Sequence, residues 1–103
     1  MSESRALLLT DVVDSTQLSQ ELGDAAMAEV WTAHDRAARS LLVARHGREI
    51  DKSDGMLLLF DAAADAVRYA HDYHRALAAL PVPLTARAGS MSVADQQLVE
   101  IAR

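Results

Sequence analysis

The sequence predicts an α/β fold in which an antiparallel sheet carries helices on one face. Three observations lead there. Short apolar runs, Ala6 to Val12 and Met56 to Phe60, alternate with longer segments whose apolar residues recur every three or four positions. Asp54-Gly55 stands between two strand-like runs, a hairpin signal because both residues tolerate positive φ. The order β-α-α-β-β-α-β, with a last helix after it, then admits two right-handed crossovers around a central hairpin. That topology is ferredoxin-like, and it sets the first and third strands side by side in the middle of the sheet.

Each element has its own signal. Leu7-Leu8-Leu9 is apolar on both faces, which suits a central strand. Asp14-Ser15-Thr16 opens a helix that runs through Leu18 and Leu22 and stops at Gly23. Asp24 is expected to cap a longer helix, with Met27, Val30, Trp31, His34, Ala38, Leu41 and Leu42 on its inner stripe, ending near His46-Gly47. Arg48 to Phe60 reads as the hairpin, turning at Ser53-Asp54-Gly55. Asp61 is expected to cap the next helix, whose stripe is Ala66, Val67, Ala70, Tyr73, Leu77 and Leu80, and Pro81 and Pro83 end it. Leu84 to Ala88 alternates as a fourth strand broken by Gly89-Ser90, and Val93 to Arg103 has the spacing of a short amphipathic helix.

Bulk composition narrows the function. The chain has 103 residues, enough for one small core, and no linker or repeat, so a single domain over residues 1–103 is expected. Net charge is −5 with no Lys/Arg cluster, which speaks against a nucleic-acid surface. There is no cysteine, which excludes disulfides, thiolate metal sites and cysteine nucleophiles. No run approaches a membrane span, and the start lacks an apolar signal region, so the chain reads as cytoplasmic.

Asp11 is the residue that demands chemistry. An acid on an apolar strand costs several kcal/mol to bury unless a cation pairs with it. Just beyond it, the free N–H groups of a helix start favour an anion. Alternatively Asp11 is solvated at the strand end, and Asp14 or Ser15 is an ordinary cap. The topology brings the strand end bearing Asp11 towards the hairpin turn bearing Asp54. Two carboxylates with the Val12 carbonyl would suit a hard cation such as Mg²⁺.

The other polar residues read more plainly. His71 and His74, three apart on one helix, read as surface or half-buried groups before they read as a metal pair. His34 reads as a satisfied histidine at the core edge, Trp31 as core, and Asp35/Arg39 as a solvated i,i+4 pair. Asp51 is a spare acid near the turn.

At these motifs the sequence resembles the class III adenylyl/guanylyl cyclase catalytic domain. Leu9-Thr-Asp-Val-Val-Asp-Ser-Thr16 is similar to that family's first-strand motif. Gly47-Arg-Glu-Ile-Asp-Lys-Ser-Asp-Gly-Met-Leu-Leu-Leu-Phe60 is similar to its hairpin, Asp61 to Arg68 to the helix after it, and Leu84-Thr-Ala-Arg-Ala-Gly89 to its Arg-Ile-Gly strand. The resemblance covers residues 6–89; residues 90–103 do not share it, as if the domain were truncated. It implies Mg²⁺ or Mn²⁺ held by Asp11, Val12 and Asp54, and ATP or GTP phosphates held by Val13, Asp14, Ser15 and Thr16. It also implies cyclic nucleotide synthesis at a dimer interface.

Three departures qualify that implication. Ser53 stands where the family has Gly. Ile50 stands where many members have a base-selecting Lys, while Lys52 lies two residues further on, so the base-selecting residue stays unassigned. The region that carries the family's transition-state Asn and Arg has no counterpart in 90–103. The expected function is therefore a cyclase-type domain, incomplete and weak or inactive alone. The alternatives are a metal–nucleotide sensor, or a non-catalytic module that pairs with a second copy or a partner domain through the open sheet face.

Overall fold

In the computed structural model, five strands form one sheet in the order β2-β3-β1-β4-β5, every neighbouring pair antiparallel. The strands are β1 (Ala6–Val12), β2 (Gly47–Lys52), β3 (Gly55–Phe60), β4 (Ala86–Ser92) and β5 (Leu98–Glu100); the helices are α1 (Ser15–Leu22), α2 (Asp24–Ala44) and α3 (Ala63–Ala78). The structure describes residues 5–52, 55–92 and 98–100, with side chains to residue 89. The first four strands have the ferredoxin-like arrangement, with β1 and β3 adjacent in the middle.

Alternation along β1 and β3 decides which face is covered. Ala6, Leu8, Thr10 and Val12, with Met56, Leu58 and Phe60, are buried beneath the helices. Leu7, Leu9 and Asp11, with Leu57 and Leu59, occupy the other face, and the register pairs Leu7 with Leu59, Leu9 with Leu57 and Asp11 with Gly55. Few aromatics are available, and three of them meet in the core: Phe60 leans on Tyr69, and Tyr69 stacks on Tyr73 at 5.8 Å between centroids. Each such burial is worth about 1.5–3 kcal/mol before entropy is counted. The Tyr69 hydroxyl donates to the Ala38 carbonyl, which ties α3 to α2.

Several sequence expectations need correction. Asp24 and Asp61 are not caps: Gly23, at φ 85°, starts α2, and Ala62 precedes α3. Asp61 instead lies near Arg5 and Arg48 at the surface. The α3 stripe contains Tyr69 rather than Val67, which is 38% exposed. Arg39 pairs with Glu49 on β2, not with Asp35. Trp31 is half-buried, packed against the core from its edge. Gly89-Ser90 does not break β4, because antiparallel pairing to β1 carries it on to Ser92. Leu98–Glu100, expected within a helix, pairs with β4 as a strand; the rest of that expected helix, 93–97 and 101–103, lies outside the described residues.

Candidate functional site

Asp11, the residue before the last in β1, lies on the face without helices and is exposed. The burial argument for a cation therefore falls, since a solvated carboxylate needs no partner to exist there. Its environment still has features that a metal ligand requires. Among the described residues it makes no ion pair. Its partner across the ladder is Gly55, the residue that follows Asp54 in the chain. A Cβ on Gly55 would collide with the Thr10 carbonyl oxygen, so only glycine lets β3 come this close to β1 beside Asp11. Asp54 and Ser53 lie outside the described residues.

The other neighbour of Asp11 is Arg87 on β4, opposite it in register and also exposed. No ion pair joins the two among the described residues.

Chain direction after β1 is set by one bond. The Val13 N–H donates to the Thr85 carbonyl at 2.7 Å, prolonging the β1–β4 ladder past its last pair. That N–H is committed to the sheet, and Val13 faces a neighbouring recess beside Thr85. Asp14 then adopts a left-handed conformation, φ 57°, which Asp tolerates, and turns the chain into α1. Its side chain makes no cap bond. The first helical bond runs from Leu18 N–H to the Asp14 carbonyl. The N–H groups of Ser15, Thr16 and Gln17 therefore have no partner inside the helix. They form a small electropositive end, and Ser15, Thr16 and Gln17 line the same cleft as Asp11.

An open cleft gathers Asp11, Val12, Asp14, Ser15 and Thr16, and sequence reasoning missed part of its wall: Gln17, Gln20, Trp31 and Lys52. Lys52 arrives there through a β-bulge. The β2–β3 register shifts between Glu49 and Asp51, leaving Ile50 as the extra residue, 53% exposed. Glu49 faces Leu58 and Lys52 faces Met56, both on the helix side. In an unbulged strand residues three apart, such as Glu49 and Lys52, would lie on opposite faces. The Lys52 ammonium lies 3.4 Å from Asp35 Oδ2 and 5.8 Å from the Trp31 ring centre. Asp51, turned the other way, is exposed.

Behind the cleft wall is a buried polar cluster. His34 is 2% exposed; its Nδ1 lies 2.9 Å from Asp35 Oδ1 and its Nε2 2.7 Å from the Tyr73 hydroxyl. His34 is thus the satisfied core-edge histidine expected from sequence. Burial pushes the Tyr73 phenol up to about 12, and the adjoining Thr10 hydroxyl opposes that rise. Burial likewise raises Tyr69. His71 is exposed and His74 half-buried. Among the described residues no three His, Cys, Asp or Glu side chains converge on one point.

The donor set fits a hard divalent cation in part. Mg²⁺ is commonly bound by one or two carboxylates plus phosphate oxygens and water, so a cage of three protein ligands is not required. Asp11 supplies one exposed, unpaired carboxylate beside an anion-favouring helix end.

No family model and no curated protein matches the chain. Among solved structures it is similar to an adenylate cyclase of Trypanosoma brucei in its monomeric state, with a TM-score of 0.80 and 16% identity over 99% of this chain and 64% of that one. It is similar to a guanylate cyclase domain from Catenaria anguillulae in complex with GTP, with a TM-score of 0.79 and 14% identity over 95% and 64%. It is also similar to a bacterial light-regulated adenylyl cyclase, with a TM-score of 0.77 and 12% identity over 97% and 64%. The chain therefore has the fold of the nucleotide cyclase catalytic core, and it spans about 64% of the length of the domains it matches.

Proposed function

We propose that this chain is the larger part of a nucleotide cyclase-type catalytic domain, binding a nucleoside triphosphate, ATP or GTP, with Mg²⁺ or Mn²⁺. The observation that carries the reading is the register of β1 and β3. It sets Asp11 against Gly55, next in sequence to Asp54, and Asp11 lines one cleft with the uncapped start of α1. Asp11, the Val12 carbonyl and Asp54 would hold the cation. When bound, such a cation stabilises the attacking and leaving oxygens of an in-line phosphoryl displacement. The N–H groups of Ser15 and Thr16 would orient the phosphates, with Asp14 shaping the turn. Val13 serves by anchoring that turn to Thr85 rather than by donating to phosphate. Lys52 adds a positive charge to the opposite wall of the cleft.

A transition state of this kind gains several powers of ten from a cationic clamp. Residues 90–103 carry no counterpart of the family's clamp, so binding with little turnover is the expected behaviour of this chain by itself. Titration of ATP and GTP in the presence of Mn²⁺, with product analysis, tests the reading. Nucleotide binding lost in Asp11→Ala and in Asp54→Ala supports it; binding unchanged in both would overturn it. Cyclic product would mark an active enzyme, and binding without product a sensor or an incomplete catalytic portion.

A second reading has its own support. Leu9 is 42% exposed, and Leu7, Leu57 and Leu59 are only half-buried on the helix-free face. An apolar sheet face of this kind suits pairing with a second copy or a partner domain. Self-association at micromolar concentration, independent of metal and nucleotide, is its signature in sedimentation velocity.

A further inference from the structure

The buried cluster behind the cleft joins the two walls of the site. The Met56 N–H donates to Thr10 Oγ1 at 3.2 Å. The Tyr73 hydroxyl adjoins Thr10 and lies 2.7 Å from His34 Nε2; His34 Nδ1 lies 2.9 Å from Asp35, whose other oxygen is 3.4 Å from Lys52. One continuous direction satisfies both ends of the chain. A backbone N–H only donates and a carboxylate only accepts. In that direction Thr10 donates to Tyr73, Tyr73 to His34 Nε2, and His34 Nδ1–H to Asp35, which also accepts from Lys52. Each group in the middle donates once and accepts once. The space between these side chains is about 10 Å³, at the lower limit for one water.

This chain ends next to the proposed cation ligand. Thr10 and Met56 are a register pair, and the next pair along is Asp11 and Gly55. Thr10 therefore stands with its hydroxyl pinned from the helix side while Asp11, one residue on, projects from the other face. We propose that Tyr73 and His34 are positioning residues for the cation site, holding the end of β1 against β3 through Thr10 while they tie Lys52 to the same frame through Asp35. The inference rests on the assignment of Asp11 as a cation ligand. Hydrogen-bonded groups that orient a ligating residue commonly change metal affinity by roughly ten- to a hundredfold when removed.

The test separates positioning from bulk stability. The dissociation constant of ATP in saturating Mn²⁺ is measured by calorimetry, and Tm by circular dichroism, for the whole chain and its variants. Tyr73→Phe leaves His34 Nε2 without its donor, so a loss of Tm accompanies any loss of affinity. The double variant His34→Leu/Tyr73→Phe removes both partners and is expected to recover Tm. If the two side chains position the site, its affinity stays roughly tenfold below that of the parent despite the recovered stability. Thr10→Val should weaken binding similarly, and Thr10→Ser, which keeps the hydroxyl, should restore it.

Parent-like affinity in both the double variant and Thr10→Val would overturn the inference while leaving Asp11 in place. Affinity that Asp11→Ala does not alter, or no binding by the parent chain, would overturn the site assignment and the inference together. Should Tyr73→Phe not fold, the double variant and the Thr10 pair give the same decision.

Discussion

Tyr73 links stability to pH through a single hydroxyl. Its ionisation is moved from the ordinary 10.0 to about 12 because the phenolate would lose its hydration in the core. The folded state therefore keeps a proton that the unfolded chain releases above pH 10. Stability from this group is complete below pH 10 and is lost as pH rises towards 12, by up to about 1.4 kcal/mol per pH unit. Tyr69, raised in the same direction, steepens the loss. Thermal unfolding followed between pH 9 and 11.5 should show Tm falling above pH 10, and Tyr73→Phe should flatten that fall. Gly55 gives a second residue-scale expectation. Gly55→Ala forces a methyl group onto the Thr10 carbonyl oxygen, a clash with backbone that cannot rotate away. Overpacking of this kind costs about 1–3 kcal/mol. It should lower Tm by several degrees and, by parting β1 from β3, should weaken nucleotide binding as well.

At the scale of elements, the bulge in β2 settles where Lys52 goes. Deleting Ile50 removes the bulge and leaves Glu49 and Lys52 two positions apart in a regular ladder, both still facing the helices. The Arg39–Glu49 and Lys52–Asp35 pairs should therefore both survive, which two-dimensional NMR of the variant would show. The expected outcome is a nucleotide complex close to that of the parent with the fold retained; a turned-over strand half that loses one of these pairs, each worth no more than about 1 kcal/mol, would contradict it. The bulge also marks the limit of what the sequence discloses. β1, β3 and the stripes of α2 and α3 were legible because their periodicities are strong and local. Lys52 was not, because a one-residue shift in pairing is invisible in a list of residues. The strand at Leu98–Glu100 was missed because its apolar spacing also fits a helix, and only the edge of β4 decides between them. Asp11 shows the same limit from the other side. An acid among leucines is visible in the sequence, but which face of the strand the helices cover is a property of the assembled sheet.

At the scale of the whole molecule, the fold leaves one sheet face to solvent and covers the other with α2 and α3, α1 packing on α2. The covered face carries the buried polar cluster; the open face carries Asp11, Arg87 and the leucines around Leu9. Among the described residues no helix is long and apolar enough to cross a membrane. If the open face pairs, Leu9→Asp should shift sedimentation to the monomer without loss of Tm, because the residue contributes little to the core of a single chain. An unchanged distribution in that variant would remove the open face as the association surface. The likeness to cyclase domains covers nearly all of this chain and 64% of theirs; under the proposed function, nucleotide capture would fall to β1, α1 and the hairpin, and efficient turnover would need groups beyond those elements.

The central claim is that Asp11 and the start of α1 hold a metal-bound nucleoside triphosphate. Calorimetric titration of ATP, and separately of GTP, into the purified chain with and without Mn²⁺ tests it most directly, with Asp11→Ala alongside. The account expects saturable binding to at least one of the two nucleotides that requires Mn²⁺ and disappears in Asp11→Ala while Tm holds. Binding that ignores both the metal and Asp11, or no binding to either nucleotide, would contradict it.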